Sequence, residues 1–281
     1  MSERVTGHAT PMNITFIGGG NMASAIIGGL LRKKQPAKSI KVVEIERPAR
    51  ARLEREFKVK TSAALDSKAA SADCIVLAVK PQQMREAAQA LRPLLGAQLI
   101  VTIAAGIRVK DLVRWLGGYE RIVRVMPNTP ALAGAGISGL YATRAVSGVD
   151  RAAAEKILGA VGATLWLARE EDLDAITAVS GSGPAYVFYF IEALEQAALD
   201  LGLGADAARK LALETFAGAV KLAIQSAVAP ATLREHVTSK GGTTERALKS
   251  METDRVKEGI VRAARAAAER SRELGNELGK D

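Results

Sequence analysis

The segment that most constrains the fold runs from Ile14 to Leu31 and reads ITFIGGGNMASAIIGGLL. A short apolar strand passes directly into glycines, and a helical pattern follows. Gly18, Gly20 and Ala23 have the spacing G-x-G-x-x-A. The first glycine permits a tight turn, the second lets the backbone approach a pyrophosphate, and the alanine lets helix and strand pack closely. Because a strand and a helix flank the glycines, the segment predicts a dinucleotide site at a helix N-terminus.

Further apolar runs follow at the spacing of an α/β domain and predict a mainly parallel sheet. Several end in small or turn-forming residues, and the carboxyl edge of such a sheet is where ligands bind. We expect Ala104 to lie where a nucleotide can approach, and Asn128 to offer a side chain that both donates and accepts hydrogen bonds. The runs are SIKVVEIE, DCIVLAVKPQ (73–82), QLIVTIAAGI (98–107), RIVRVMPNTPALAGAG (121–136), GISGLYA and ATLWLA.

Charged residues at the end of the second predicted strand bear on the choice of cofactor. Glu44 can accept a hydrogen bond from a ribose 2′-hydroxyl, as in NAD enzymes. Arg47, Arg50 and Arg52 follow at once, and an arginine there can hold the 2′-phosphate of NADP. The arginines outnumber the acid, so the sequence favours NADPH, with NADH as the alternative.

The pattern becomes helical from about Arg169 onward, and the helices are rich in alanine. The sequence therefore predicts two domains, a Rossmann-like domain over 1–168 with a loose tail at 1–11, and an all-α domain over 169–281. Pro184 suits the first turn of a helix that continues through Leu199. Long Ala-rich helices need a partner to bury their apolar faces, so we expect a homodimer formed through the C-terminal helices.

Composition excludes several other classes of protein. The net charge is +9, yet Lys and Arg are spread along the predicted helices beside Glu and Asp, and no nucleic-acid motif appears. We therefore expect small anions as ligands and no nucleic acid. Cys74 is the single cysteine, which suits a reducing cytoplasm. The start of the chain, MSERVTGHATPMN, has no apolar signal-peptide core, and no apolar run approaches the 18 residues of a membrane span, so we expect neither.

No familiar catalytic constellation is present. The two histidines, His8 and His236, stand alone, no Cys/His cluster has metal-ligand spacing, and no G-x-S-x-G elbow occurs. Ser180 lies in a Ser-Gly repeat but has no base partner that the sequence identifies. Hydride transfer from a nicotinamide needs none of these groups.

Five motifs carry a resemblance to a known family. They are ITFIGGGNMASAIIGGL, AVKPQ, VMPNTP, VSGSGPAY and, above all, TSKGGTTERAL. In their order and spacing, from about Met12 to Ala268, the chain resembles the pyrroline-5-carboxylate reductase family. The resemblance implies reduction of L-1-pyrroline-5-carboxylate to L-proline with NAD(P)H, a Rossmann domain, a helical dimerisation domain, and sometimes a ring of dimers.

The resemblance also implies which residues bind the cofactor and the substrate. Among these residues, Thr244 would be catalytic, bonding the ring nitrogen of the substrate, and the hydroxyl of Thr243 would be incidental. By resemblance the cofactor residues would be Gly18, Gly20, Asn21, Met22, Val79, Lys80, Pro81 and Asn128, to which the positions at strand ends add Glu44, Arg47 and Ala104. The substrate residues would be Val179, Ser180, Ser239, Gly242, Thr243 and Thr244.

Three alternatives stay open. A β-hydroxyacid dehydrogenase resembles the chain near SGSGPAYVFYF, but such enzymes carry a catalytic lysine on the following helix, and residues 184–199 contain none. A non-enzymatic NADP-binding sensor would not need the Gly-Gly-Thr-Thr loop. That loop could also be only a turn between helices, with Thr243 or Thr244 as the helix N-cap.

Overall fold

A computed structural model describes residues 11–280 of the chain. The predicted tail, apart from Pro11, and His8 therefore lie outside the described residues. By internal contacts the chain divides into two compact units. The sheet unit contains the residues up to Gly181 together with those from Ala267 onward, and the helical unit is Ser182–Ala266.

The sheet unit is built on one eight-stranded sheet with the order β3-β2-β1-β4-β5-β6-β7-β8. All neighbouring strands are parallel except the antiparallel pair β6–β7. This confirms a mainly parallel sheet whose order reverses direction at β1 and β4. The strands are β1 Ile14–Ile17, β2 Ile40–Val43, β3 Lys60–Ser62, β4 Cys74–Leu77, β5 Leu99–Thr102, β6 Ile122–Met126, β7 Gly136–Ala142 and β8 Gly162–Trp166.

Helices connect the strands and then continue alone through the C-terminal part. The α-helices are α1 Asn21–Arg32, α2 Arg47–Phe57, α3 Ser67–Ala70, α4 Met84–Leu91, α5 Val109–Trp115, α6 Gly148–Leu158, α7 Asp172–Ile176, α8 Gly183–Asp200, α9 Ala205–Gln225, α10 Pro230–His236, α11 Thr243–Thr253 and α12 Val256–Leu278. A π-helix, Thr177–Gly181, joins α7 to α8.

The core of the sheet unit covers both faces of the sheet. In β4, Cys74 and Val76 pack into one apolar cluster, while Ile75 and Leu77 pack into the other. The alternation follows from the two-residue period of a strand. All four side chains are fully buried, and burial raises the pKa of the Cys74 thiol. The central strands therefore form a scaffold that holds the strand ends in fixed positions.

The helical unit is different, because almost nothing in it is buried. Helices α8 and α9 pack against each other, yet Ala208 and Ala212 are the only buried residues between Ser182 and Ala266. Phe188 on α8 is 65% exposed and Ile224 on α9 is 79% exposed. Apolar helices that stay this exposed lack the packing that stabilises most helices in proteins.

The end of α12 belongs to the sheet unit by its contacts. The Ser271 hydroxyl donates to Asp174 Oδ1 at 2.7 Å, and Asp174 Oδ2 pairs with Arg108 at 2.7 Å. A Cβ on Gly275 would lie 2.6 Å from Arg108 Nε, so glycine permits this close approach. Contacts therefore divide the chain after Gly181 and again before Ala267, which differs from the single break predicted between 168 and 169. That predicted domain boundary stays a prediction.

Within the described residues, no single helix has the length and apolar character needed to cross a membrane. The pair α9 and α10 meets that requirement only when the two helices are taken together, and they are bent by 118° relative to each other.

Candidate active site

A cavity of about 470 Å³ lies at the carboxyl ends of β1, β2 and β4. Of the predicted cofactor residues, five line it, namely Gly18, Gly20, Glu44, Val79 and Lys80. The strand order reverses at β1 and β4, which is where open α/β sheets bind nucleotides. The remaining lining residues were not predicted, because most are apolar residues of strand ends, loops and α4 that belong to no motif; these are Ile17, Gly19, Val43, Ile45, Glu46, Ala63, Leu65, Ala78, Gln83, Glu86, Ala87 and Ala90.

The glycine turn fits a dinucleotide. Gly18 has a φ of +98°, and a Cβ there would lie 2.7 Å from the Ala78 carbonyl oxygen. Gly20 has no atom within 4 Å of the place where a Cβ would be, so that side of the turn is open. Gly20 is also the N-cap of α1, and no side chain caps that helix. The first N–H groups of α1 are therefore available to a pyrophosphate.

The Glu44 side chain is bound to the backbone of the two loops beside it. Its Oε2 accepts from the Gly19 N–H at 2.8 Å, and its Oε1 accepts from the Glu46 N–H at 2.9 Å. Both oxygens therefore act as acceptors of backbone N–H groups. The carboxylate is thus held at the end of the cavity where a Rossmann domain binds the ribose.

Two of the three arginines predicted to favour a 2′-phosphate are bonded to the protein itself. Arg50 Nη1 donates to the carbonyl oxygens of Glu44 at 2.7 Å and Ile45 at 2.8 Å. Arg52 Nη2 donates to the Gly19 carbonyl oxygen at 3.2 Å. Arg47 is exposed, and no hydrogen bond or ion pair joins it to any residue that the structure describes.

The other predicted cofactor residues do not line the cavity. Asn21 is the exposed first residue of α1, and Met22 packs against the core. Pro81 opens a short 3-10 turn after Lys80, and Ala104 follows β5 in the chain and is buried in the core. Their part in cofactor binding stays a prediction.

Asn128 uses its carboxamide inside the protein. Its Oδ1 accepts from the Ile137 N–H at 2.9 Å, and its Nδ2 lies 3.2 Å from Ser180 Oγ and 3.3 Å from the Ser180 carbonyl oxygen. The residue is 8% exposed. Asn128 therefore joins the loop after β6 to the π-helix, and Ser180 Oγ accepts a hydrogen bond there, which leaves its own proton for another acceptor.

A buried ionic network supports the segment that leads into the π-helix. Arg124 Nη1 pairs with Glu170 Oε1 at 2.6 Å, and the same oxygen accepts from the Val109 N–H at 2.7 Å. Burial lowers the pKa of Arg124, while the Glu170 carboxylate raises it. With the Arg108–Asp174 pair, this network fixes α7. Of the two predicted substrate residues that follow, Val179 is 69% exposed and Ser180 is half-buried.

The Gly-Gly-Thr-Thr loop leads directly into α11. Gly241 has a φ of +76°, its N–H donates to Glu245 Oε2 at 2.7 Å, and Gly242 is the N-cap with no side-chain hydrogen bond. The hypothesis that Thr243 or Thr244 caps the helix is therefore wrong, since the helix already begins at Thr243. Neither threonine hydroxyl is used as a cap, and the first N–H groups of α11 have no partner within the helix.

The remaining loop residues surround this helix start. Gly242 N donates to the Ser239 carbonyl oxygen at 3.0 Å, and the side chains of Ser239 and Thr243 are exposed while Thr244 is half-buried. Gly241 and Gly242 also line a cavity of about 630 Å³ between α10 and α11. The other residues lining that cavity are Arg234, Glu235, Thr238, Glu245, Arg246, Leu248, Lys249 and Glu252.

Among the described residues, no group of three or more His, Cys, Asp or Glu side chains could hold a metal ion.

Comparison with known proteins identifies the family. A family model described as pyrroline-5-carboxylate reductase dimerisation matches residues 170–274, and one described as NADP oxidoreductase, coenzyme F420-dependent, matches residues 13–106. The pyrroline-5-carboxylate reductase of Pseudomonas aeruginosa is 46% identical over 273 residues, which are 97% of this chain and 100% of that protein. The chain belongs to the pyrroline-5-carboxylate reductase family.

Solved structures of pyrroline-5-carboxylate reductases share the fold. The protein from Coxiella burnetii superposes with a TM-score of 0.89 at 39% identity, over 94% of this chain and 99% of that one. The protein from Plasmodium falciparum, solved with NADP bound, gives a TM-score of 0.84 at 29% identity, over 94% and 98%. These matches confirm the predicted resemblance and the order of a Rossmann-like domain followed by a helical domain.

Proposed function

We infer that this chain reduces L-1-pyrroline-5-carboxylate to L-proline with a nicotinamide dinucleotide. The observation that carries the inference is the identity to pyrroline-5-carboxylate reductases over nearly the whole chain. A glycine turn that fits a pyrophosphate and an uncapped helix start after Gly242 are two anion sites, which suit a charged cofactor and a substrate carboxylate.

The residues proposed for the cofactor are those at the carboxyl edge of the sheet. Gly18 and Gly20, with the N–H groups at Asn21 and Met22, would hold the pyrophosphate. Other residues around the same edge would contact the rest of the nucleotide; these are Glu44, Arg47, Val79, Lys80, Pro81, Ala104 and Asn128. When bound, the cofactor supplies the hydride. NADPH is the cofactor that the sequence favours, and NADH is the one that the bonding around Glu44 favours.

The substrate proposal rests on the start of α11. The N–H groups of Thr243 and Thr244 would hold the substrate carboxylate, because a helix N-terminus favours an anion. The Thr244 hydroxyl would bond the ring nitrogen and so orient the imine carbon that accepts the hydride. Gly242, Ser239, Val179 and Ser180 complete the proposed set.

Proton supply is the remaining step, because the ring nitrogen gains a proton as the carbon gains the hydride. A threonine hydroxyl is too weak an acid to donate that proton alone. We propose that water supplies it, or that the substrate binds already protonated as the iminium ion.

Homodimer formation is part of this proposal. The family model for the helical domain is named for dimerisation, and the helical unit leaves most of its large apolar side chains exposed. We propose that α8 and α9 lie in a homodimer interface, and that dimers are the units of a larger ring. A cytoplasmic location stays a prediction that depends on the single, buried Cys74.

Replacing Thr244 tests the substrate proposal. We predict that Thr244→Ala lowers kcat/KM for pyrroline-5-carboxylate by about 10- to 100-fold, the value of one hydrogen bond to a charged group. The matched variant Thr243→Ala keeps the N–H but loses a hydroxyl, and should change kcat/KM by less than about threefold. Both variants should bind the cofactor as the unmodified enzyme does. Unmodified rates in Thr244→Ala, or equal losses in both variants, would contradict the role of Thr244.

A further inference from the structure

The end of the cofactor cavity beside β2 carries acidic side chains. Glu44 and Glu46 both line it, with Ile45 between them. We propose that the Glu44 carboxylate makes this enzyme prefer NADH over NADPH, an inference that rests on the proposed use of a nicotinamide cofactor.

The position of Glu44 is fixed by two hydrogen bonds at once. Its two oxygens accept from the Gly19 N–H at 2.8 Å and the Glu46 N–H at 2.9 Å, and its own N–H donates to the Ser62 carbonyl oxygen at 2.9 Å. A carboxylate held in this way cannot turn aside without breaking bonds to the glycine turn. Each oxygen still has a second lone pair, so the carboxylate can also accept from a ribose 2′-hydroxyl.

Two of the three nearby arginines donate hydrogen bonds to protein oxygen atoms. Arg50 donates to the backbone carbonyl oxygens of Glu44 and Ile45. Arg52 binds the Gly19 carbonyl oxygen and also Ser24 Oγ at 3.2 Å. A bidentate grip on phosphate needs two adjacent N–H groups of an arginine, and one Nη of each of these two arginines is already bound to protein oxygen atoms. Only Arg47 is left among the three, and it does not line the cavity.

Charge then decides between the two cofactors. A 2′-phosphate brings about two negative charges into a space that Glu44 already occupies, whereas a 2′-hydroxyl brings a donor that the carboxylate can accept. At the short distances of a binding site, like-charge repulsion of this kind weakens affinity by at least about tenfold.

The Gly19 peptide gives Glu44 a second connection to the cofactor site. Glu44 binds its N–H, and Arg52 binds its carbonyl oxygen. If Glu44 did no more than position this turn, its loss would weaken NADH and NADPH by the same factor. The ratio of the two affinities therefore separates selectivity from positioning.

The experiment measures dissociation constants for NADH and NADPH by calorimetry, without substrate. We expect the unmodified enzyme to bind NADH at least about tenfold more tightly than NADPH. Glu44→Gln keeps the shape but removes the charge, and should reduce that ratio by about tenfold. Glu46→Gln is the matched control, because its carboxylate makes no hydrogen bond with the described residues, and it should reduce the ratio less.

Other results of these titrations would overturn either the inference or the proposed function. Tighter binding of NADPH by the unmodified enzyme, or an equal loss for both cofactors in Glu44→Gln, overturns the inference while the proposed function stands. Failure to bind either cofactor overturns the proposed function instead. If Glu44→Gln does not fold, a salt titration of the unmodified enzyme replaces it. The preference for NADH should then shrink between about 0.05 and 0.5 M salt as repulsion is screened, and a constant ratio would overturn the inference.

Discussion

In the sheet unit every side chain of β1, β4 and β5 is buried or nearly so, whereas in the helical unit α8 has no buried residue at all. The sheet unit therefore has a complete core within one chain. The helical unit has apolar faces of the length and composition that require a second surface. One chain forms the cofactor cavity by itself, whereas under the proposed function the helices that carry the substrate loop would depend on a partner subunit.

The largest predicted effect comes from placing a charge on the exposed apolar face of the helical unit. Phe188→Glu should dissociate the dimer, because an unpaired charge buried in an interface is unfavourable by about 3–5 kcal/mol. We expect the mass in light scattering to fall at least by half and turnover to fall by at least about 100-fold, with the cofactor still bound. Val149→Glu is the matched control, since Val149 is 80% exposed on α6 of the sheet unit, and should leave mass and turnover unchanged. An unchanged mass in Phe188→Glu would remove α8 from the interface.

A smaller effect is expected from the two glycines of the cofactor turn, and it should appear in the sheet unit. Gly18→Ala forces a side chain onto a φ of +98° and against the Ala78 carbonyl oxygen, so it should destabilise the fold by about 1–3 kcal/mol.

Gly20→Ala separates binding from stability. The added methyl group meets no protein atom, and Gly20 has an ordinary φ of −69°. The free energy of unfolding should therefore change by less than about 0.5 kcal/mol, while the affinity for the cofactor falls about tenfold. Melting curves and calorimetric titrations of the two variants check this pair, and a stable Gly18→Ala or a tightly binding Gly20→Ala would contradict it.

The smallest effect concerns a single ion pair of the sheet unit and depends on pH. Arg121 binds both Asp150 oxygens, at 2.6 and 3.0 Å, and Ser147 donates to the same carboxylate. The hydrogen bond from Arg121 is the main cause that lowers the pKa of Asp150 from 3.8 to about 2. Because the folded pKa lies below the ordinary one, this stabilisation is complete above pH 3.8 and is lost as pH falls through 2.

Asp150→Asn should therefore lower the free energy of unfolding at neutral pH. The expected loss is about 1–2 kcal/mol, because solvent screens the partly exposed Arg121. The difference from the unmodified protein should shrink between about pH 4 and pH 2. Denaturant titrations across this range measure it. A difference that stays constant with pH would show that the carboxylate charge is not the cause.

Much of the sheet unit could be predicted from the sequence, because its signals are local. β1 and the glycine turn are adjacent in the chain, and the buried runs at β4, β5 and β6 are strongly apolar. β3 was missed, since Lys60–Ser62 is three residues long and polar, and it pairs only at the edge of the sheet. The helices of the helical unit were also predicted, since Pro184 and the glycines mark their ends.

The geometry of the candidate site was less accessible because it depends on distant partners. Ser271 and Asp174 are 97 residues apart, and Asn128 and Ser180 are 52 apart. The sequence placed Glu44 and the arginines together, but it could not show that Arg50 and Arg52 turn onto backbone carbonyl oxygens. That orientation is one basis for proposing NADH where the sequence favours NADPH.

The central claim is that a single chain completes the cofactor half of the enzyme but not the substrate half. The most direct test is the mass of the unmodified protein in solution, measured by light scattering while turnover of pyrroline-5-carboxylate is followed in the same fractions. One chain has a mass of 29.6 kDa. We predict that all turnover coincides with species of at least twice that mass, and a fully active species of 29.6 kDa would contradict the account.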